Sequence, residues 1–254
     1  VRGSPRCVRR AVSAALLAGA FRRAGAEEFA AGDVDWSYKN PAFWKSVEGW
    51  ECNMTGSQSP IDIATSSAFA MNFALMPLSS FFNGSDTGVL AHAVTRQSVW
   101  EVEFQADPEA YIQWSGKRFN LQKALFHSPS ENTIDGRHYN LEAQLLHTSE
   151  DGDTLVAAQL FDVGKMNDCL EQIWADFPRN ASTNPVAVPI RNPYHILAPS
   201  APGAYYQWMG SLTTPPCTPG VTWVLAAEVG QVSQAQLDAF RRGLAAVPGS
   251  RADL

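Results

Sequence analysis

Glycine and proline punctuate this chain so closely that long helices have little room to form. Gly56, Pro60, Pro77, Gly84, Pro108, Gly116, Pro129, Gly136 and Gly152 cut it into short segments, and each such residue ends or bends the regular structure before it. Between the breaks lie strand patterns. In Trp100-Glu101-Val102-Glu103-Phe104 apolar and acidic residues alternate, which predicts a half-exposed strand. Residues 119–127 and 139–147 also read as strands, with less regular faces. Residues 222–229 are nearly continuously apolar, as a strand covered on both sides requires. Helix signals are few. Ser233-Gln234-Ala235-Gln236 is a capping box, and Leu237, Phe240 and Leu244 follow at helical spacing until Pro248-Gly249. A shorter helix is expected over residues 168–175. From Asp35 onward there is no long linker, repeat or low-complexity tract. The expectation is one β-rich α+β domain with a few peripheral helices.

The two ends of the charge distribution differ. The whole chain carries a net charge of -6, yet residues 1–26 hold six Arg and no acid, which leaves the body more acidic than the whole. An acidic body lacks the clustered Lys and Arg that phosphate neutralisation needs, so nucleic acid is excluded as a partner. Arg9-Arg10 precedes the apolar run Ala11 to Phe21, and Ala24-Gly25-Ala26 then offers a small-residue exit. That layout predicts a targeting or signal segment over 1–26, of the secretory or twin-Arg and thylakoid-lumen kind, ahead of a domain over 27–254. The run is shorter than the roughly 20 residues a bilayer span takes, and no other stretch approaches that length. An exported location follows as the expectation: thylakoid lumen, or secretory and extracellular.

Cysteine use agrees with export. Outside the N-terminal segment with its Cys7 lie Cys52, Cys169 and Cys217, at spacings that match no C-x-x-C zinc or redox pattern. An odd count in an exported domain implies one disulfide and one buried thiol. Asn-x-Ser/Thr sequons begin at Asn53, Asn83 and Asn180. No Gly-rich phosphate loop and no G-x-S-x-G nucleophile elbow is present, which removes the obvious hydrolase alternative.

Four blocks in order give the chain its specific character. They are Trp36-Ser37-Tyr38 with Pro41 and Trp44; Gln58-Ser59-Pro60-Ile61-Asp62-Ile63; residues 119–147 with Phe126-His127-Ser128-Pro129-Ser130-Glu131; and Ser211-Leu212-Thr213-Thr214-Pro215-Pro216-Cys217 with Val221-Thr222-Trp223. Together they resemble the α-class carbonic anhydrases from about residue 35 to 245. The resemblance implies one domain built around a large, twisted, mostly antiparallel sheet with a conical central site. It also implies a Cys52–Cys217 disulfide, as in exported members of the family.

Activity in that family rests on one zinc held by three His, whose bound water has its pKa lowered to about 7. Two of the His alternate on one strand, because residues two apart point into the same cavity, and the third lies on the neighbouring strand. The resemblance places these positions at Leu125, His127 and Gln144, so only His127 is retained. Leu125 offers no lone pair, and Gln144 offers a neutral amide oxygen that zinc accepts poorly beside imidazole. The Gln that orients the first family ligand aligns with Lys123, which puts an ammonium where a cation must sit. The family's proton-shuttle His aligns near Ser98. By the same resemblance Thr213 and Glu131 match the pair that orients the metal-bound hydroxide, Glu142 matches a carboxylate behind the third ligand, and Trp223 and Leu146 match walls of the substrate pocket. Lys123 is expected to pair with Glu142 or Glu131, replacing metal charge with ammonium charge. His147 is expected in the core and His138 exposed, while His92 and His195 stand alone and do not rebuild a metal site.

Three functions remain as expectations. The first is a carbonic-anhydrase-like pseudoenzyme with a lost zinc site and no cofactor, acting as a structural or protein-binding module; its partner is a protein, with a membrane complex facing the lumen as one candidate. The second is an active carbonic anhydrase using zinc at a non-standard site. The third is a small-molecule binder using the empty cone, with Leu125 as added apolar wall.

Overall fold

The computed structural model describes residues 36–53, 56–68, 79–82, 89–96, 99–104, 110–175, 186–190, 192–197 and 204–246. The targeting segment over 1–26, Cys7, Ser98, the Pro248-Gly249 stop and the sequons at Asn83 and Asn180 lie outside them. Asn53 is exposed. Among the described residues the helices are α1 (Pro41–Trp44), α2 (Asp168–Trp174) and α3 (Gln234–Ala245). The strands are β1 (Asp62–Ile63), β2 (Ser79–Phe82), β3 (Val89–Arg96), β4 (Val99–Phe104), β5 (Ala110–Trp114), β6 (Lys117–His127), β7 (Thr133–Ile134), β8 (Leu141–Ser149), β9 (Thr154–Val163), β10 (Val186–Ile190), β11 (Tyr205–Ser211), β12 (Pro219–Ala226) and β13 (Gly230–Val232).

Eleven strands form one sheet whose main path runs β10-β3-β4-β6-β8-β9-β12-β11, with β13 beside β9 and the β2–β5 pair beside β6. Its pairings are antiparallel except β12 and β13 on β9, and a separate parallel pair joins β1 to β7. The expected large, mostly antiparallel sheet with peripheral helices is present. No helix among the described residues is long and apolar enough to cross a membrane.

Alternation sorts the sheet into two faces. On β8, Leu141, Ala143 and Leu145 enter the main core cluster beneath α2 and α3, while Glu142, Gln144 and Leu146 point the other way. On β6 the parity changes midway. Phe119 and Leu121 enter the core, and then so do Ala124 and Phe126. The pairing of β6 with β8 shifts register between Leu121 and Lys123, and this bulge is what turns Lys123, Leu125 and His127 together onto the opposite face. That face carries two further apolar clusters, one around Leu146, Val156, Val221 and Trp223, the other around Trp36, Tyr38, Trp44 and Trp50.

Two strand expectations change. The acidic side of residues 100–104 is not open to water: Glu101 is 5% exposed, because it shares the covered face with Lys123 and Leu125. The strand expected over 222–229 stops early, since β12 ends at Ala226 and the next strand, β13, begins only at Gly230. Ser233 caps α3 as expected. Its hydroxyl accepts from the Gln236 amide, and the Gln236 side chain accepts from the Ser233 amide in return.

Candidate functional site

The β6–β8 register brings the three family ligand positions together. Leu125 lies opposite Gln144, and His127 lies opposite Glu142. His127 and Gln144 are buried, and Leu125 packs against the aromatic cluster of Trp36, Tyr38, Trp44 and Trp50. The first position therefore belongs to an apolar wall.

Gln144 is committed to hydrogen bonding. Its Nε2 donates to Glu131 Oε2 at 3.1 Å and to Glu142 Oε1 at 3.0 Å. Glu142, with no exposed surface, also accepts from the amides of Glu131 at 2.8 Å and Asn132 at 2.9 Å, and from Asn132 Nδ2 at 2.7 Å. Burial, and then the neighbouring Glu131 charge, push the Glu142 carboxyl up to about 7, against these hydrogen bonds, which favour its charged form. Glu131 accepts from Tyr38 Oη at 3.4 Å, and His127 Nε2 stands 3.6 Å from its Oε2. The result is a closed polar cluster beneath an apolar surround.

Lys123 departs from expectation. Its Nζ pairs with Glu101 Oε2 at 3.1 Å, and not with Glu142 or Glu131. Glu101 stands opposite Leu125 on β4, one strand over on the side away from β8, and it intercepts the ammonium. The pair is partly solvated, with the Lys123 side chain 35% exposed. Thr213 lies between β11 and β12 at the edge of burial. Trp223 is buried beside Leu146 in the second apolar cluster, stacks on Trp208 and donates its indole N–H to the Ser211 carbonyl. The Cys52–Cys217 disulfide is formed. Cys169 is half-buried where a buried thiol was expected, because it sits in the first turn of α2 at the molecular surface.

The remaining His divide as expected where they are described. His147 is fully buried, its Nε2 within 3.1 Å of Tyr194 Oη, and burial lowers its pKa to about 3. His138 is exposed, with Nδ1 2.9 Å from the Ser130 carbonyl. His195 is half-buried in a single 3-10 turn; the His92 side chain lies outside what is described.

Sequence reasoning missed the role of two members of the cluster. Asn132 bridges Glu142 to the Ile61 amide, which donates to its Oδ1 at 3.0 Å. Tyr38 reaches Glu131 across 93 positions. Asn132 follows Glu131 directly in the sequence block, which is the one hint of its involvement.

As a donor set, these positions do not fit a three-histidine zinc. Leu125 brings no donor atom, and the Gln144 nitrogen is turned as a hydrogen-bond donor toward two carboxylates. Among the described residues no group of three or more His, Cys, Asp or Glu converges as metal ligands do.

The family model of the eukaryotic-type carbonic anhydrases matches residues 39–251. A carbonic anhydrase of Klebsiella pneumoniae is 32% identical over 214 residues, 82% of this chain and 83% of that one. Dioscorin DB3L of Dioscorea polystachya is 30% identical over 210 residues, 81% of this chain and 72% of that one. The solved structure of the α-carbonic anhydrase from Thermovibrio ammonificans with the inhibitor sulfanilamide superposes with a TM-score of 0.77 at 31% identity, covering 87% of this chain and 95% of that one.

Proposed function

This chain belongs to the eukaryotic-type carbonic anhydrase family, and on that premise we propose that it keeps the family scaffold without the family reaction. It serves as a structural or protein-binding module in an extracytoplasmic or lumenal compartment. The observation that carries this reading is the state of Gln144: both of its amide hydrogens go to Glu131 and Glu142, opposite an apolar Leu125. Glu131, Thr213, Glu142 and Trp223 are then relics that the fold still uses as buried partners. No cofactor is needed. The Cys52–Cys217 disulfide supports an oxidising compartment, and residues 1–26 are the segment that directs the chain there. The partner is a protein of that compartment, with a lumen-facing membrane complex as a candidate.

A second reading is an active carbonic anhydrase with zinc at a non-standard site, favoured by the enzyme name of the Klebsiella relative. Metal analysis of the purified chain, with carbon dioxide hydration assayed with and without added zinc, separates the two. The expected outcome is substoichiometric zinc and no rate above buffer. The Leu125→His/Gln144→His double variant is expected to take up zinc, since the register already sets those positions face to face. One zinc per unmodified chain with chelator-sensitive hydration would establish the second reading.

A further inference from the structure

We propose that Gln144 is an anchor: its amide nitrogen, in place of a metal ion, holds Glu131 and Glu142 together and through them fastens two distant N-terminal segments onto the sheet. This rests on the metal-free reading above. The hydrogen bonds form one continuous path. Tyr38 Oη donates to Glu131 Oε1. Gln144 Nε2 joins Glu131 Oε2 to Glu142 Oε1. Asn132 Nδ2 donates to Glu142 Oε1, and Asn132 Oδ1 accepts from the Ile61 amide. One end lies in the aromatic segment over 36–50, the other in the stretch over 58–63.

The chemistry of the position explains the residue. Two buried carboxylates repel each other unless something between them supplies positive potential. A dication does so by charge; a primary amide does so with two N–H bonds diverging from one atom. Hydroxyl, imidazole and indole side chains cannot offer two hydrogens from a single atom. Asn has the group but is one methylene shorter. The same side chain also sits opposite Leu125, which packs on the aromatic cluster, so polar and apolar attachments of the N-terminal segment meet at this strand pair.

Amide hydrogen exchange on the full-length, disulfide-intact chain in chelator-treated buffer tests the anchor. Gln144→Leu removes both donors at similar volume. Exchange is expected to rise about tenfold over both 36–50 and 58–63, with β8 and β9 still protected. Tyr38→Phe cuts one end only, and the rise is expected over 36–50 alone. Glu131→Gln retains an acceptor for Gln144 and is expected to leave 58–63 unchanged. Wild-type protection of both segments in Gln144→Leu would overturn the anchor; should that variant not fold, unchanged 36–50 exchange in Tyr38→Phe would do so. Loosening of the same segments in the unmodified chain on chelation would instead overturn the metal-free reading, because the anchor predicts no response to chelator.

Discussion

Glu142 shows how much a single buried side chain can be asked to do. It is fully covered, accepts four hydrogen bonds and faces a second carboxylate. With its carboxyl held near 7 against an ordinary value of 4.5, the folded chain binds more protons than the unfolded one between those values. Stability from this group is therefore fully present below about 4.5 and lost as pH rises through about 7. Urea midpoints measured between about pH 5 and 8 are expected to fall with rising pH. In Glu131→Gln the neighbouring charge is gone, so the fall is expected to be smaller and to move to lower pH. At this scale the sequence was readable where local rules apply. Period two put Lys123, Leu125 and His127 on one face, while it was the family resemblance that matched Leu125, His127 and Gln144 to the ligand positions. The partner of Lys123 was not readable, because Glu101 reaches it through the stagger of β4 against β6, which no local pattern specifies.

Elements tell a similar story with a different boundary. The strands over 119–127 and 139–147 and the shorter helix over 168–175 were expected from the sequence, and α3 was foretold by its capping box and helical spacing. The bulge in β6 was not, although it decides which residues face the site. Nor did the capping box reveal that Gln236 also binds the backbone of Asn167, tying the start of α3 to the N-cap of α2. The same helix lies very close to the sheet at Gly243, where an added Cβ would fall 2.1 Å from the Trp100 ring. Alanine is about 1 kcal/mol better than glycine inside a helix, but Trp100 is buried and edge-packed on Phe240 and has nowhere to move. Gly243→Ala is thus expected to lower stability by about 1–3 kcal/mol, read as a lower urea midpoint. A rise would mean that α3 stands off the sheet.

For the whole molecule, the Cys52–Cys217 disulfide is a long-range covalent constraint, joining residues 165 apart. It pins the segment carrying the aromatic cluster to the loop before β12, and the Glu51 amide donates to the Pro216 carbonyl beside it at 2.9 Å. Cys52→Ser/Cys217→Ser is expected to cost about 2–4 kcal/mol in denaturant titrations, and an unchanged midpoint would show that the hydrogen-bonded cluster alone suffices to hold that segment.

The order of strands also governs what the chain can do while it is being made. β9 is flanked by β8, which precedes it directly, and by β12, whose Val221 pairs with Thr154 only after more than sixty further residues. Until those residues emerge from the ribosome, one side of β9 is an open row of amide and carbonyl groups next to Leu155, Ala157 and Phe161. A nascent chain is exposed to edge-to-edge association throughout that interval. A carrier that keeps the chain unfolded until synthesis is complete removes that hazard.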